Sequence, residues 1–383
     1  MPDGRPLTGV RVLDLTQLLP GPYCSCLLAD FGAEVIRVER LGGGDWMRYT
    51  PPLEDGASRL FRAVNRGKKS LTLNLKCDEG RGIMLRLVKT SDVLLEGFRP
   101  GVMERLGMGY EILAQANPRL VYCSLSGYGR EGPYRERAGH DLNYIGLAGL
   151  LDLTGARDGP PVVPGVLAAD LGGAVWAAVG ILMALVARER MGRGQRVDAS
   201  LLGGALAYLP LAVAACLGGQ PMRRGGSFLT GGAICYHAYQ TRDGGYVTLG
   251  ALEPEFWSAF CAAVGREDWV GQQYAPAATG EPAYEELCAL FRTRTRQEWM
   301  DALAGVDACC EPVYSVEEAL ASAPVKALGM LVNGELFPPV QLSAHPVHAS
   351  CPAPALGQHT AQLLAELGYD AAEVERLHGE GVV

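Results

Sequence analysis

The sequence predicts an α/β fold with two domains, and three observations support this prediction. The chain has 383 residues, which is more than one ordinary compact core accommodates, so two domains are expected. Its first part alternates short β-rich apolar runs with helix-type runs, a pattern typical of parallel strands joined by crossover helices. From about residue 225 the pattern changes to a hairpin followed by helices, which indicates a smaller α+β unit.

The elements of the first part follow from the apolar runs and their spacing. Strands are predicted over residues 10–15, 34–39, 71–75, 93–95 and 120–124, and helices over residues 22–31, 80–89 and 102–113. A long helix is predicted over 170–190, because Asp170 suits an N-cap while Arg188 and Arg190 suit a last turn. Ligands of such parallel sheets bind at the carboxyl ends of the strands.

The later part has the marks of a hairpin and of capped helices. Predicted strands over 233–241 and 246–249 flank Asp243 and Gly244, a strong hairpin signal, and helices are predicted over 255–264, 284–293 and 297–303. Capping boxes begin at Thr295 and Ser315. Residues 336–356 are rich in proline and lack periodicity, which indicates a return connection, and a final helix is predicted over 360–367.

These elements divide the chain into four stretches. The predicted stretches are a first part of the large domain over 1–200, a linker helix over 201–224, a small domain over 225–325 and a return segment over 326–383. Residues 201–219 are uncharged for long enough to span a bilayer, but they are rich in glycine and alanine and contain Pro210. Buried helices are therefore expected there, and no membrane partner is expected.

The composition indicates a soluble cytoplasmic protein. Apolar residues make up 48% of the chain, charged residues make up 20%, and the formal net charge is −8, which argues against a nucleic-acid partner. The 11 cysteines are odd in number, and no signal peptide precedes Val10, so reduced thiols are expected rather than disulfides. His345 and His348 lack supporting cysteine or acidic neighbours, so no metal site is expected.

Residues 127–132 match the pattern G-x-G-x-x-G after a predicted strand, which would suit a dinucleotide site. Pro133 and a charged, non-periodic stretch follow, whereas the dinucleotide fingerprint needs a helix start at that point. We therefore interpret this segment as a plain glycine loop and expect no nicotinamide cofactor. The chain also lacks a complete P-loop, a G-x-S-x-G motif and an H-E-x-x-H motif.

Three residues are candidates for acid–base chemistry. His140 lies in a loop beside a glycine, Asp170 precedes a long apolar helix, and Glu253 lies at a strand-to-helix turn. A base, an acid and an orienting carboxylate are what a proton-transfer site needs. Each also has a structural explanation, as a core histidine, an N-cap or a first-turn charge. Glycines at 172 and 173 favour function at Asp170, because bare N–H groups there would stabilise an oxyanion.

Seven basic residues lie near the ends of the first predicted strands. They form either a phosphate-facing set or scattered surface charge, and the sequence leaves both open. The seven residues are Arg37, Arg40, Lys68, Lys69, Lys76, Arg99 and Arg105.

Several motifs recur in the order found in one known superfamily. They lie at residues 20–22 (PGP), 28–40 (LADFGAEVIRVER), 96–101 (EGFRPG), 138–144 (AGHDLNY), 192–195 (GRGQ), 243–247 (DGGYV) and 252–256 (LEPEF). Through these motifs the chain resembles the family III CoA-transferase superfamily of the CaiB/BaiF type, and within it the α-methylacyl-CoA racemases. The resemblance extends over nearly the whole chain.

The resemblance implies catalytic roles for the three candidates. The position of Asp170 carries the nucleophile in the CoA-transferases and one of two acid–base groups in the racemases. The racemases add a histidine at the position of His140 and a glutamate at the position of Glu253, which holds that histidine. An epimerase of 2-methyl-branched acyl-CoA thioesters, with a role in lipid metabolism, is therefore expected. A CoA-transferase with Asp170 as nucleophile, or a non-catalytic CoA-binding protein, remains an alternative.

The resemblance also implies a CoA site and an assembly. A large doubly wound α/β domain made from both chain ends and a smaller middle domain are implied, in an interlocked homodimer with the active site between subunits. No cofactor is expected, since CoA is part of the acyl-CoA substrate. The implied CoA-contacting residues are Leu18, Leu19, Arg40, Leu73, Asn74, Lys76, Gly97, Phe98, Arg99 and Arg105.

Overall fold

The computed structural model of the chain describes residues 4–345 and 351–383, so His348 lies outside the described residues. Contacts group the chain into two units. The first holds Met1–Ala148, Val166–Tyr208 and Leu328–Val383, and the second holds Gly149–Gly165 and Leu209–Ala327.

The described residues form 13 strands and 16 α-helices. The strands are β1 Arg11–Asp14, β2 Glu34–Glu39, β3 Leu53–Glu54, β4 Ala57–Ser58, β5 Lys68–Thr72, β6 Val93–Glu96, β7 Val121–Ser126, β8 Arg196–Ser200, β9 Tyr236–Gln240, β10 Tyr246–Gly250, β11 Cys310–Pro312, β12 Leu331–Val332 and β13 Glu335–Leu336. The α-helices are α1 Pro20–Asp30, α2 Arg59–Ala63, α3 Asp78–Lys89, α4 Val102–Arg105, α5 Tyr110–Ala116, α6 Asp141–Ala148, α7 Ala168–Met191, α8 Leu201–Leu206, α9 Pro210–Leu217, α10 Pro254–Ala263, α11 Pro282–Phe291, α12 Arg296–Ala302, α13 Val316–Ala321, α14 Ala323–Ala327, α15 Thr360–Glu366 and α16 Ala371–Gly379.

The first unit is built on a six-stranded parallel sheet, which confirms the predicted α/β class. The strand order is β5-β2-β1-β6-β7-β8, and every pairing in the sheet is parallel. The chain runs outward from β1 through β2 to β5, and then returns to place β6 on the other side of β1. A sheet wound in both directions opens a crevice where its order reverses, at the carboxyl ends of β1 and β6.

Both chain ends contribute to the core of the first unit. Leu363 and Leu364 of α15 and Leu377 of α16 are buried in one cluster with sheet residues such as Leu13 and Ile36. Beyond α16, the backbone N–H of Asn74 donates to the carbonyl of Val382 (2.8 Å). Helix α16 was not predicted, although Asp370 begins it with a capping box.

The structure corrects three predicted elements and adds one strand that was not predicted. The third strand is Lys68–Thr72 rather than 71–75, because ion pairs allow the charged Lys68 to be buried in it. The half-buried strand β8 was missed because its sequence is largely polar. The helix predicted over 102–113 is two helices, since Gly107 (φ +71°) interrupts it. The linker helix predicted over 201–224 is also two helices, because Pro210 begins α9 and cannot continue α8. The expectation of buried helices there is wrong for α9, which has no buried residue, whereas α8 buries three of its residues.

Helix α7 confirms the predicted long helix and its basic last turn. Asp170 is not the N-cap, however, since it is the third helical residue and Leu167 precedes the helix. By length and composition α7 could cross a bilayer, with a mean hydropathy of 1.9 over its most apolar window, and 44% of that window is buried within the protein. Its buried Arg188 pairs with Asp92 (2.9 Å) near the carboxyl end.

The second unit has a three-stranded antiparallel sheet in the order β11-β10-β9. The predicted hairpin is confirmed, since β9 and β10 pair across the Asp-Gly turn. Both predicted capping boxes are present, at Thr295 and Ser315. Aromatic residues dominate the core of this unit, where Trp257, Trp269 and Trp299 are almost fully buried.

Candidate active site

A cavity of about 590 Å³ lies at the carboxyl ends of β1, β6 and β7 in the first unit. Residues 15–18, 97–100 and 125–128, which end these strands or follow them, form part of its wall, and His140 and Asp170 both line it. The cavity therefore occupies the crevice that the reversal of strand order creates. The first unit alone brings together two of the three candidate acid–base residues.

The loop that carries His140 is held by hydrogen bonds on both sides. The N–H of His140 donates to Oδ1 of Asn143 (2.9 Å), and the hydroxyl of Tyr144 donates to the carbonyl of Gly139 (2.8 Å). A Cβ added at Gly139 would lie 2.9 Å from the Tyr144 ring, and one added at Gly127 would overlap the Tyr144 hydroxyl. Glycine at these two positions lets the buried Tyr144 approach the backbone.

The G-x-G-x-x-G segment is a loop, as expected. After β7 the chain forms turns and bends over residues 127–136, and the next helix starts only at Asp141. Gly129 and Gly132 adopt positive φ angles of +96°, which side chains other than glycine rarely adopt. The segment thus lacks the helix start that would hold a pyrophosphate.

Asp170 is the titratable group with the most informative environment in the cavity. The pKa of its carboxyl is raised from 3.8 to about 6, because burial and the nearby Asp141 carboxylate oppose ionisation more strongly than His140 favours it. A carboxyl with this pKa exchanges protons near neutral pH, which an ordinary aspartic acid does not. Asp170 and His140 are therefore within electrostatic reach of each other in one cavity.

The glycines that follow Asp170 have a different role from the one predicted. A Cβ at Gly172 would lie 2.7 Å from the Tyr208 ring, and one at Gly173 would lie 2.6 Å from the Leu201 side chain. A Cβ at Gly204 would overlap the backbone nitrogen of Gly173. These glycines therefore let α7 and α8 pack closely. The prediction that they expose the helix start to a ligand is wrong.

The N–H groups expected to stabilise an oxyanion are also already bonded. The N–H groups of Ala169 and Asp170 donate to Oδ1 of Asp141 (2.7 and 3.0 Å), and the N–H of Leu171 donates to the carbonyl of Leu167. Asp141 is buried and was overlooked as a functional residue. Its only sequence signal was its position beside His140 at a helix start.

The ten residues assigned to CoA by resemblance separate into two groups in the structure. Leu18, Gly97, Phe98 and Arg99 line the cavity. Outside its lining, Leu19 is half-buried, Leu73 lies in the core cluster, Asn74 contacts the C-terminal segment, and the remaining three are exposed: Arg40, Lys76 and Arg105.

Leu18 has an unusual backbone conformation for a residue in the cavity wall. Its φ angle is +63°, which is uncommon for a residue with a side chain. Its N–H donates to Oδ2 of the buried Asp45 (2.9 Å), and that carboxylate also pairs with Arg37. A buried charge therefore fixes the path of the chain after β1.

Two members of the basic set do not face phosphate. Arg37 and Lys68 are fully buried and pair with Asp14 (3.4 and 3.3 Å), and the pKa of the Asp14 carboxyl falls to about 2, because the attraction of Lys68 and Arg37 outweighs its burial. Lys69 pairs with Glu34 (2.6 Å). The positive charge at the cavity comes instead from Arg99 and from two arginines that sequence reasoning missed: Arg135 and Arg137.

Glu253 lies in the second unit, where it directly precedes α10. Its side chain does not cap that helix, and its carbonyl accepts a hydrogen bond from the N–H of Trp257 (3.2 Å). The expected contact between Glu253 and His140 stays a prediction. Among residues 4–345 and 351–383, no group of three or more His, Cys, Asp or Glu side chains is arranged to hold a metal ion.

Comparison with known protein families identifies the family of this chain. Residues 7–360 match the model of CoA-transferase family III. The chain belongs to CoA-transferase family III. It is therefore an enzyme of that family, as the sequence motifs predicted, and its cavity is the candidate active site of a family III enzyme.

Relatives within family III catalyse different reactions. The α-methylacyl-CoA racemase of Mus musculus is 38% identical over 98% of this chain and 97% of its own. An acyl-CoA transferase of Fusarium pseudograminearum is 37% identical over 98% of this chain and 88% of its own. The crystal structure of a CAIB/BAIF family protein from Brucella suis superimposes with a TM-score of 0.84 at 30% identity, covering 95% of this chain and 99% of that one. Family membership thus leaves both a racemase and a transferase reaction open.

Proposed function

We propose that this enzyme interconverts the 2R and 2S forms of 2-methyl-branched acyl-CoA thioesters. The observation that carries the proposal is that His140 and Asp170 line one cavity, where the pKa of the Asp170 carboxyl is raised to about 6. At pH 7 such a carboxyl is protonated in about one molecule in ten, against fewer than about one in a thousand for an ordinary aspartic acid. Both protonation states are then available to the reaction.

The two residues would act on opposite faces of C2, where one removes a proton and the other delivers its own. The thioester acidifies the hydrogen on C2. Neutral His140 removes it, the bonding pair moves into the thioester to form an enolate, and protonated Asp170 returns a proton to C2 from the other face. In the reverse direction ionised Asp170 is the base and protonated His140 is the acid. Positioned acid–base groups typically supply about 10²–10⁴-fold of rate enhancement.

The enolate oxygen needs hydrogen-bond donors, which we assign to the first turn of α6. This helix begins at Asp141, directly after His140. Among the described residues, neither the N–H of Asp141 nor the N–H of Leu142 donates to a protein acceptor. Free N–H groups at a helix start carry partial positive charge, which stabilises a developing negative oxygen.

Further parts of the proposal come from the family resemblance. Glu253 would orient His140, and the cavity residues Leu18, Gly97, Phe98 and Arg99 would contact the CoA part of the substrate. The reaction uses no cofactor, because the thioester itself stabilises the enolate. We also propose that the enzyme acts as a homodimer in the cytoplasm.

A CoA-transferase reaction is the second candidate, and the 37% identical acyl-CoA transferase favours it. In that reaction the ionised carboxylate of Asp170 attacks the thioester carbonyl, an acyl anhydride forms, and the CoA thiolate leaves. The CoA thiolate then attacks the Asp170 carbonyl of the anhydride, which releases the first acid and leaves Asp170 as a CoA thioester. The acceptor acid's carboxylate displaces CoA to form a second anhydride, and the CoA thiolate attacks its acceptor acyl carbon, which gives the new acyl-CoA and frees the Asp170 carboxylate. This reaction assigns no proton transfer at C2 and therefore no role to His140.

Incubation of one pure 2-methylacyl-CoA stereoisomer in D₂O separates the two candidates. The proposal predicts deuterium at C2 and loss of stereochemical purity with no second acid present. His140→Gln should lower the exchange rate at least about 100-fold. The exposed His378 of α16 provides a matched control, since His378→Gln should leave the rate unchanged. CoA exchange that requires an acceptor acid, with retention of hydrogen at C2, would refute the proposal.

A further inference from the structure

We infer that Asp141 is the positioning residue that holds His140 and Asp170 in fixed relation to each other. Its backbone adjoins His140, and its carboxylate binds the first turn of the helix that carries Asp170. The inference rests on the proposed function, because it concerns the two groups that would transfer the proton.

The first turn of α7 depends on Asp141 for its hydrogen bonds. A helix start leaves four N–H groups without helical acceptors, and Leu167, which precedes α7, offers no side-chain acceptor. Oδ1 of Asp141 accepts two of them, from Ala169 (2.7 Å) and Asp170 (3.0 Å). The capping side chain of Asp141 thus lies 28 positions before Ala169 and 29 before Asp170 in the chain, and Asp141 is only 5% exposed.

The His140 end of this connection is equally constrained. Asp141 is the first residue of α6, and Oδ1 of Asn143 binds the N–H of His140 one turn further along. Tyr144, which is 4% exposed, binds the carbonyl of Gly139. The first turns of α6 and α7 therefore form one hydrogen-bonded assembly, with an acid–base residue on each side. A displacement of about 1 Å between reacting groups can cost about 10²-fold in rate.

The same carboxylate also sets the electrostatic environment of Asp170. Besides Asp141, the titratable groups that face Asp170 are His140 and Tyr144, and Arg99 lies near that tyrosine. Tyr208, two residues after the end of α8, packs over Gly172, while the two residues of α1 in the cavity wall, Pro20 and Gly21, carry no charge. Within the part of the chain that the structure describes, Asp141 is thus the acidic side chain that opposes ionisation of Asp170.

Two substitutions separate the cap from the charge. Asp141→Asn keeps an oxygen acceptor for the N–H groups but removes the negative charge. Asp141→Ala removes both. Asp370 provides a matched control, because Oδ1 of Asp370 caps α16 by accepting the N–H of Glu373 (2.9 Å). The same two substitutions at Asp370 report what loss of a helix cap does by itself.

The experiment measures kcat and KM for deuterium exchange at C2 across pH 5 to 9. With Asp141→Asn, the midpoint of the pH dependence assigned to Asp170 should move to lower pH, with less than about 10-fold loss of kcat. With Asp141→Ala, kcat should fall about 100-fold while KM changes much less, because the acid and base lose their alignment. Neither Asp370 variant should change the pH profile or kcat. Asp141 variants that match the Asp370 variants in kcat and pH profile would overturn the inference.

A second measurement decides the inference without the reaction. A double-mutant cycle of Asp141→Asn and Asp170→Asn, followed by urea unfolding, should show coupling between the two positions at pH 8 that disappears at pH 4, where the Asp170 carboxyl of the native protein is protonated and carries no charge. Absence of coupling at pH 8 would overturn the inference. Absence of C2 exchange by the unmodified enzyme, with coupling present, would instead overturn only the proposed racemase reaction.

Discussion

Replacement of Asp170 by asparagine should make the protein more stable at neutral pH, although it removes a candidate catalytic group. In the native state the pKa of this carboxyl is about 6, because burial and the Asp141 carboxylate oppose its ionisation. In the unfolded chain it returns to about 3.8. Between these values the native state keeps a proton that the unfolded state has lost. Native stability therefore falls as the pH rises through this window.

The size of the effect follows from the two pKa values. At about 1.4 kcal/mol for each pKa step, the rise from 3.8 to about 6 corresponds to about 3 kcal/mol at pH 7.5. Because Asp170 is partly exposed, solvent screening reduces the expected effect to about 1–2 kcal/mol. The asparagine of the Asp170→Asn variant does not ionise, so the stability of the variant does not fall in this way as the pH rises. Its stability relative to the unmodified protein should therefore rise by about 1–2 kcal/mol between pH 4 and pH 7.5.

Urea unfolding followed by far-ultraviolet circular dichroism at pH 4, 5, 6 and 7.5 measures this difference. Most of the change should occur between pH 4 and pH 6.5. Asp158→Asn, at an exposed position of the second unit, controls for the general effect of removing one carboxylate. A stability difference between Asp170→Asn and the unmodified protein that stays constant across this pH range would refute the assigned environment of Asp170.

Two further substitutions, each compared with a control substitution, test the packing and the buried ion pairs of the first unit. Gly204→Ala should lower stability by about 1–3 kcal/mol or more, because its Cβ would overlap the α7 backbone. Gly82→Ala on α3 meets no atom within 4 Å and should be neutral or stabilising, so equal melting temperatures for the two variants would contradict this account. Arg37→Met should cost about 3–5 kcal/mol, because it leaves buried carboxylates without their partner. The exposed Arg59→Met should cost less than about 1 kcal/mol in the same urea titration, and a similar loss from both arginine substitutions would show that the buried pairs contribute no more than a surface pair.

The sequence predicted the elements whose signals are local. The β9–β10 hairpin and the capping boxes at Thr295 and Ser315 depend on residues within a few positions of each other, and the structure contains all of them. The parallel sheet was predictable because β-rich and helical runs alternate. The strand at Lys68 was misplaced because a lysine in a strand reads as exposed, and only its distant partner Asp14 makes burial favourable.

The candidate site was predictable in its residue types but not in its geometry. His140 and Asp170 were identified by their local setting and by the family motifs, and the structure places both in one cavity. The importance of Asp141 was not predictable, because it depends on hydrogen bonds to a helix 28 and 29 residues later. From the local sequence alone, its carboxylate is indistinguishable from an ordinary acidic residue in the first turn of a helix.

The sequence by itself determined the α/β class, the family and the two cavity residues proposed for proton transfer. Only the tertiary structure decided what the surrounding residues do. Gly172 and Gly173 admit a neighbouring helix rather than a ligand, and Arg37 pairs with buried carboxylates rather than with phosphate. Local patterns report periodicity and caps, whereas burial and charge pairing depend on which distant segments meet. The pKa of Asp170 is accordingly a property of the folded cavity rather than of its sequence position.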